Sequence, residues 1–251
     1  MKRIIMLLAT ATLSSLGLAA QDAADHDVVA STAWTAAFAQ AAGADNVRVL
    51  APYDLAHPPE YELRPSDLRA IMNADLVIYA GYETMVPRLV DAAGDAGART
   101  VQIQTVHSMA IMRRSIGAIA AELGTEAEAQ ERLGELAGYL STWSDEVSDL
   151  GYAGVPVAVH FHQQALAREL GMNVVAVFGP PPLEAREIDD ITQAGPALII
   201  DNGHNPVASP IAETTQADVS VWYNFPGVED TRTLLDVFRL NRSALRTTAG
   251  R

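Results

Sequence analysis

The sequence has 251 residues, of which 49% are hydrophobic, so the chain can bury a core and is not disordered, coiled-coil or collagen-like. It carries 31 Asp and Glu against 17 Lys and Arg, and the net charge of -14 disfavours nucleic acid and anionic lipid as partners. It contains no cysteine, which excludes disulfides, thiolate nucleophiles, cysteine zinc sites and the lipid-anchored cysteine of bacterial lipoproteins. Any bound metal must therefore be held by histidine and carboxylate ligands.

The first twenty residues have the order of a secretory signal peptide, with a basic start at Lys2 and Arg3, an apolar run, and small residues up to Ala20. The apolar run is too short, and too often interrupted by Thr and Ser, to span the roughly 30 Å of a bilayer core as an anchor. We expect cleavage before Gln21 and a periplasmic mature protein that is not inserted in the membrane.

Short runs rich in Val, Ile and Ala alternate with helix-patterned segments in both halves of the chain. Runs without polar alternation are typical of parallel strands buried on both faces. The predicted strands are residues 27–30, 46–50, 74–79 and 100–104 in the first half and 155–159, 173–178, 197–200 and 219–222 in the second. Between the halves, residues 109–149 are helical in pattern, with a break around Gly124 and a long amphipathic helix over residues 126–150. Ser66 is predicted to cap a helix that begins at Asp67.

These elements predict an α/β protein with two Rossmann-like lobes, each built on a four-stranded, mostly parallel sheet, and joined by a long rigid helix. The predicted boundaries are 1–20 for the signal peptide, 21–108 for the N-terminal lobe, 109–152 for the linking helices and 153–251 for the C-terminal lobe. A helix packed on both lobes allows less hinge opening than a Gly/Ser-rich linker, so we expect a cleft with modest closure.

Five of the six histidines lie at or just beyond the end of a predicted strand or in the loop that follows, namely His57, His107, His160, His162 and His204. Ligands of open parallel sheets bind outside the carboxyl ends of the strands, so these imidazoles are expected at the cleft. The first two belong to the N-terminal lobe and the rest to the C-terminal lobe, which suits a cation bound between the lobes. Imidazoles with one carboxylate favour zinc over manganese, which prefers more oxygen ligands.

Several segments also resemble a known family. Three segments resemble the first lobe of the zinc and manganese solute-binding proteins of ABC importers. They are the run that starts at Asp27, the Tyr-Glu-Leu-Arg-Pro-Ser-Asp segment of residues 61–67 and the Asn-Ala-Asp-Leu-Val-Ile-Tyr-Ala-Gly segment of residues 73–81. The Val-Pro-Val-Ala-Val-His segment that ends at His160, followed by a helix and a strand, is similar to the second lobe. The resemblance covers nearly the whole mature chain. It implies a monomer that binds Zn2+ or Mn2+ between its lobes, delivers it to an inner-membrane ABC permease, and is not an enzyme.

The same resemblance implies a divergent ligand set. His160 matches a family ligand directly, whereas the family's first histidine position holds Pro59, so that His57 is the substitute. The family's Asp-Pro-His segment before the first linking helix is missing, which leaves His107. The family's last carboxylate aligns with about Tyr223 or Asn224, and a residue of the preceding loop must complete the set. The expected metal ligands are therefore His57, His107, His160 and either His204 or Asp201, of which His204 is preferred.

Other roles and classes are compatible with the sequence. Glu60 and Glu83 are candidates for orienting a ligand imidazole, and His162 is expected to point away from the metal. One alternative function is a zinc-dependent hydrolase that uses His160 and His162. Another is a binding protein of the same fold for a metal chelate, with a pocket lined by aromatic side chains, for which the candidates are Trp34, Tyr53, Tyr61, Trp222 and Tyr223.

Overall fold

The computed structural model of the protein describes residues 26–55 and 57–250. The predicted signal peptide, residues 1–20, lies outside the described residues. Within the part of the chain that is described, no helix is both long and apolar enough to cross a membrane.

The first sheet is four-stranded and entirely parallel, in the order β2-β1-β3-β4. Its central strands β1 and β3 consist of Val, Ile, Leu and Ala with one terminal Tyr, and helices cover both faces, which explains the missing polar alternation. Its elements are β1 (Val28–Ala30), α1 (Ala33–Ala41), β2 (Val47–Val49), a 3-10 turn (Pro58–Glu60), α2 (Pro65–Met72), β3 (Leu76–Tyr79), α3 (Val86–Ala96) and β4 (Arg99–Gln102).

Two helices follow the first sheet, α4 (Met109–Leu123) and α5 (Glu126–Asp149). Gly124 ends α4 in the left-handed conformation, with φ of 73°, because a residue without a Cβ adopts this turn without strain. The apolar face of α5 packs into one core cluster that extends from the first sheet to the second. Trp143 of α5 lies against Trp222 of the last strand, with ring centroids 5.2 Å apart. The helix is therefore embedded in both lobes.

The second sheet repeats the pattern in the order β6-β5-β7-β8, again with all pairs parallel. It is followed by α9, which packs on β8. Its elements are β5 (Pro156–His160), a 3-10 turn (Phe161–Gln163), α6 (Gln164–Glu169), β6 (Asn173–Phe178), α7 (Ala185–Gln193), β7 (Leu198–Asn202), α8 (Ser209–Thr214), β8 (Asp218–Trp222) and α9 (Leu234–Thr248).

The α/β fold class with two four-stranded parallel sheets and a long connecting helix is confirmed. The predicted start of α2 is wrong. The helix begins at Pro65 instead of Asp67, with Arg64 at the cap position. Asp67 sits in the first turn, where its carboxylate accepts hydrogen bonds from the Arg64 N–H at 2.8 Å and from the Tyr61 hydroxyl at 2.8 Å. Proline suits the first helical position because its missing N–H would have no partner there.

Candidate metal-binding cleft

A cavity of about 670 Å3 lies between the lobes, at the end where the carboxyl ends of both sheets face each other. Its lining combines aromatic, imidazole, amide, hydroxyl, proline and small aliphatic side chains with one guanidinium. The N-terminal lobe contributes Thr32, Trp34, His57, Pro58, Pro59, Tyr82, Thr105 and Val106; the C-terminal lobe contributes Phe161, His162, Gln164, Ala165, Arg168, Pro180, Asn202, His204, Asn205, Asn224 and Phe225. No aspartate or glutamate of residues 26–55 and 57–250 is among them.

Trp34, in the first turn of α1, bridges the two walls. Its ring lies 5.8 Å from Phe225 and 6.2 Å from His162, both of the C-terminal lobe, and its Nε1–H donates to His107 Nε2 at 3.3 Å. The lobes are thus in contact across the cavity through one indole.

His204 is the best-positioned metal donor of the cavity. It follows β7, its ring stacks on Phe225 at a centroid distance of 3.5 Å, and its Nδ1 is 3.0 Å from the Asn224 Oδ1. Because an amide oxygen can only accept, Nδ1 carries the hydrogen and Nε2 keeps its lone pair. Burial lowers the pKa of His204 to about 4, so the imidazole is neutral at physiological pH. A neutral ring with a free Nε2 is the form that binds a metal.

His162 also lines the cavity, contrary to the expectation that it points away. The reason is that β5 ends at His160 and the chain turns through the 3-10 segment Phe161–Gln163, so strand geometry no longer sets the direction of the ring. Burial lowers the pKa of His162 below its usual value. The ring is near enough to His204 to depress the pKa of that residue electrostatically.

His160 is fully buried behind the cavity wall. Its Nδ1 accepts the N–H of His162 at 3.2 Å, and its Nε2 has no partner. A Cβ placed on Gly179 would lie 2.7 Å from Nε2, so the backbone of this glycine covers that side of the ring. Burial lowers the pKa of His160 to about 4.

His107 is buried between Trp34 and Phe238, whose ring stands edge-on at a centroid distance of 5.1 Å. Its Nε2 accepts from the indole and its Nδ1 has no partner. Desolvation lowers the pKa of His107 to about 4. In this arrangement the ring holds Trp34 in place and does not line the cavity.

A comparison with protein-family models matches residues 28–231 to the ZnuA family, described as the periplasmic zinc-uptake complex component A. The chain belongs to this family. It is therefore a periplasmic solute-binding protein of metal ABC transport, and the ZnuA family is a transport family, not a family of enzymes. A comparison with curated proteins found no match.

Solved structures with the same fold cover nearly all of the described chain. The laminin-binding protein Lbp of Streptococcus pyogenes is 17% identical, with a TM-score of 0.66 over 88% of this chain and 98% of that one. The metal-dependent lipoprotein YcdH of Bacillus subtilis is 19% identical, with a TM-score of 0.66 over 88% and 97%. The solute-binding protein FpvC of Pseudomonas aeruginosa, solved with Mn2+, is 16% identical, with a TM-score of 0.66 over 89% and 98%.

The five candidate ligands of this ZnuA-family protein do not converge. His57 and His204 line the cavity, whereas His107, His160 and Asp201 are buried outside its lining. Among the described residues, no group of three or more histidines and carboxylates is arranged to hold a metal ion. The reason is that Asp201 is engaged by backbone N–H groups, and that the ring nitrogens of His107 and His160 that have no partner lie outside the lining.

Asp201 shows this most clearly. Its Oδ1 accepts the N–H groups of Asn202 and Val207, at 2.8 and 3.3 Å, and its Oδ2 accepts that of Ala208 at 3.0 Å. The carboxylate thus fixes the loop between β7 and α8. Backbone donors already occupy both oxygens, so in this conformation Asp201 is a loop residue.

The two glutamates expected to orient a ligand have other surroundings. Glu83 is buried and accepts hydrogen bonds from the Ser31 hydroxyl at 2.5 Å and from the N–H groups of Ala80 and Gly81 at 2.9 and 2.7 Å. It therefore fixes the turn after β3. Glu60 is exposed and faces a neighbouring surface groove, which it shares with His57.

Three functional candidates were missed by sequence reasoning. Asn224, considered only as a poor substitute for a carboxylate ligand, instead orients the His204 ring. Arg168 and Gln164, four residues apart on α6, both line the cavity, and this helical spacing was a readable signal.

Proposed function

We propose that the protein captures a divalent transition metal, zinc in preference to manganese, in the cleft between its lobes and delivers it to an inner-membrane ABC permease. The observation that carries the proposal is the His204 ring, which Asn224 holds with Nε2 unprotonated in a cavity that His162 also lines. Nitrogen donors favour zinc over manganese. The ZnuA family and the Mn2+ complex of FpvC support a metal ligand.

His57, His107, His160 and Asp201 stay predictions as additional ligands. His107 and His160 each keep one buried ring nitrogen without a partner, Nδ1 and Nε2 respectively, and such atoms are the free donors of these rings. Their use requires movement, because Gly179 covers the free nitrogen of His160. Asp201 would have to release backbone N–H groups, which makes it the least available of the four.

Competition dialysis against a zinc-chelating dye tests the proposal. The wild-type protein is expected to bind one zinc ion and to bind manganese at least tenfold more weakly. His204→Ala should weaken zinc binding by at least tenfold, because it removes one coordinate bond. His26→Ala is the control, since His26 lies near Asp75 and outside the cavity, and should bind zinc like wild type. A wild-type protein that retains neither zinc nor manganese, free or chelated, contradicts the proposal.

The volume of the cavity favours a second candidate within the same fold, a metal chelate. A cavity of about 670 Å3 is in the range of small-molecule sites, which is roughly 300–1,000 Å3. The hydrolase alternative has less support. His160 Nε2 faces the Gly179 backbone, so it does not converge with His162 on an open position, and no carboxylate of the described residues lines the cavity to act as a base.

A further inference from the structure

The charges around the cavity are the wrong ones for a bare cation. Apart from histidines, Arg168 is the charged side chain among the described lining residues, and it has no ion pair or hydrogen bond with any described residue. A bare Zn2+ would add two positive charges beside an unpaired guanidinium, with no lining carboxylate to offset them.

The acidic residues that could correct this balance are already occupied. Asp201, at the end of β7, has both carboxylate oxygens on backbone N–H groups of the next loop. Glu83 is used in the same way by the turn after β3 and by Ser31. Neither carboxylate lines the cavity or is free to contact a ligand there. A ligand that carries negative charge would give the guanidinium a direct partner.

The donor count leads to the same conclusion. Protein-bound zinc takes about four donors. Three imidazoles, His57, His162 and His204, line the cavity, but no group of three or more histidines and carboxylates is arranged for a metal within residues 26–55 and 57–250, so at most two of them can share one ion. A ligand that brings its own donors fills the coordination sphere without rearrangement of the protein.

The walls and the volume fit such a ligand. A single water takes a share of about 30 Å3 of liquid, so a cavity of about 670 Å3 is far larger than a metal ion and its water ligands need. Trp34 of the N-terminal lobe and Phe225 of the C-terminal lobe form an apolar part of the lining, where their ring centroids lie 5.8 Å apart. The amides of Asn202 and Asn205 add polar contacts. This mixture of apolar walls and a few polar groups is typical of small-molecule sites.

We propose that the cleft takes its metal as a preformed, net-anionic chelate, in which carboxylates of the chelator pair with Arg168 and His162 and His204 complete the coordination of the metal. This inference rests on the proposed function and specifies its ligand class. Arg168 suits the role because a guanidinium donates two parallel hydrogen bonds to a carboxylate.

A matched pair of synthetic complexes tests the charge requirement. Zinc nitrilotriacetate has a net charge of -1, and zinc tris(2-aminoethyl)amine has +2; both chelators are tripods around one nitrogen. Equilibrium dialysis with labelled zinc and labelled chelator should retain zinc and nitrilotriacetate in a one-to-one ratio on the protein. Retention of the cationic complex should be at least tenfold weaker. Metal-free nitrilotriacetate should not be retained.

Variants assign the recognition to residues. Arg168→Gln should weaken binding of zinc nitrilotriacetate by at least tenfold and should not weaken binding of free zinc, because only the chelate has carboxylates and the guanidinium repels a bare cation. Arg186→Gln is the matched control, since Arg186 is an exposed helical arginine that lies near Asp190 and outside the cavity. His204→Ala should weaken binding of both forms. Arg168 is exposed, so its replacement leaves the core unchanged and the variant should fold.

The outcomes separate the two proposals. Three outcomes would overturn the chelate inference and leave metal capture intact. The protein could retain zinc while the chelator stays in the dialysate, it could bind the two complexes equally, or the Arg168→Gln variant could bind the zinc nitrilotriacetate complex like wild type. Retention of neither zinc nor its complexes would overturn both. Equal retention of metal-free nitrilotriacetate would overturn the chelate inference, because the site would then recognise an anion without a metal.

Discussion

The wall that the N-terminal lobe contributes to the cleft is mainly aromatic, proline and hydroxyl, whereas the C-terminal wall carries two imidazoles, several amides and a guanidinium. In the N-terminal lobe the polar groups that could bind a metal are either buried, as His107 and Glu83 are, or exposed at the rim, as His57 is. In the C-terminal lobe, Asn224 prepares the His204 ring for coordination. From this difference we propose that the C-terminal lobe supplies most of the metal ligands and that the N-terminal lobe mainly covers the bound metal.

The largest effect should come from removing the C-terminal donors. A His162→Ala/His204→Ala double variant is expected to weaken zinc binding by roughly a thousandfold, or about 4 kcal/mol, because two coordinate bonds are lost. His57→Ala, which alters the N-terminal wall, should weaken it by less than threefold. Competition with a zinc dye measures both affinities. If His57→Ala lost as much affinity as the double variant, ligation would be shared by the lobes and the comparison above would be wrong.

His107, the buried histidine of the N-terminal lobe, should affect the stability of the protein and its dependence on pH. The pKa of His107 in the folded protein is about 4, against an ordinary value of 6.5, because the ring is desolvated. Between these values the unfolded chain binds more protons, so the free energy of unfolding falls as pH drops from about 6.5 to 4. At about 1.4 kcal/mol for each pKa unit, His107 alone makes the protein about 3 kcal/mol less stable at pH 4.

Urea denaturation across that pH range measures this effect. His107→Gln keeps an acceptor for the Trp34 indole but cannot titrate, so the stability of the variant should depend less on pH. Part of the remaining slope is due to His160, His162 and His204, whose pKa values burial also lowers. His26→Gln, a variant of a partly exposed histidine, should keep the wild-type slope. An unchanged slope in His107→Gln would mean that the ring is not buried as described.

The sequence predicted the strands well because buried parallel strands are uniformly apolar, a pattern that is local and easy to recognise. The same holds for α5, whose apolar spacing and the preceding Gly124 mark both its face and its start. The start of α2 was placed two residues late, because Pro65 and Asp67 are both favourable in a first turn and only the fold decides between them.

The candidate site was less predictable because its geometry depends on contacts between distant segments. The direction of His162 depends on a turn directly after β5 that strand spacing does not reveal. The pairing of His204 with Asn224 joins the loops after β7 and β8. The position of Asp201 at a strand end indicated a ligand, yet the same position lets it accept backbone N–H groups of its own loop. Donor types can therefore be read from the sequence, but their availability cannot.

A smaller effect is expected at Glu83 in the N-terminal lobe, where a substitution should lower the stability of the protein but not its zinc affinity. Glu83 accepts three hydrogen bonds from Ser31, Ala80 and Gly81, and Glu83→Gln replaces one acceptor oxygen with an NH2 group that faces donors. We expect a loss of about 2 kcal/mol in the free energy of unfolding, since a buried donor is left unpaired. Urea denaturation measures the loss, and Glu62→Gln, at an exposed position of the same lobe, should cost less than about 0.5 kcal/mol.

Zinc affinity of the Glu83→Gln variant should stay within twofold of wild type under conditions where the variant is folded, because Glu83 does not line the cavity. A large loss of zinc affinity with little loss of stability would instead make Glu83 a residue that orients a metal ligand, and the N-terminal wall would then be more than a cover.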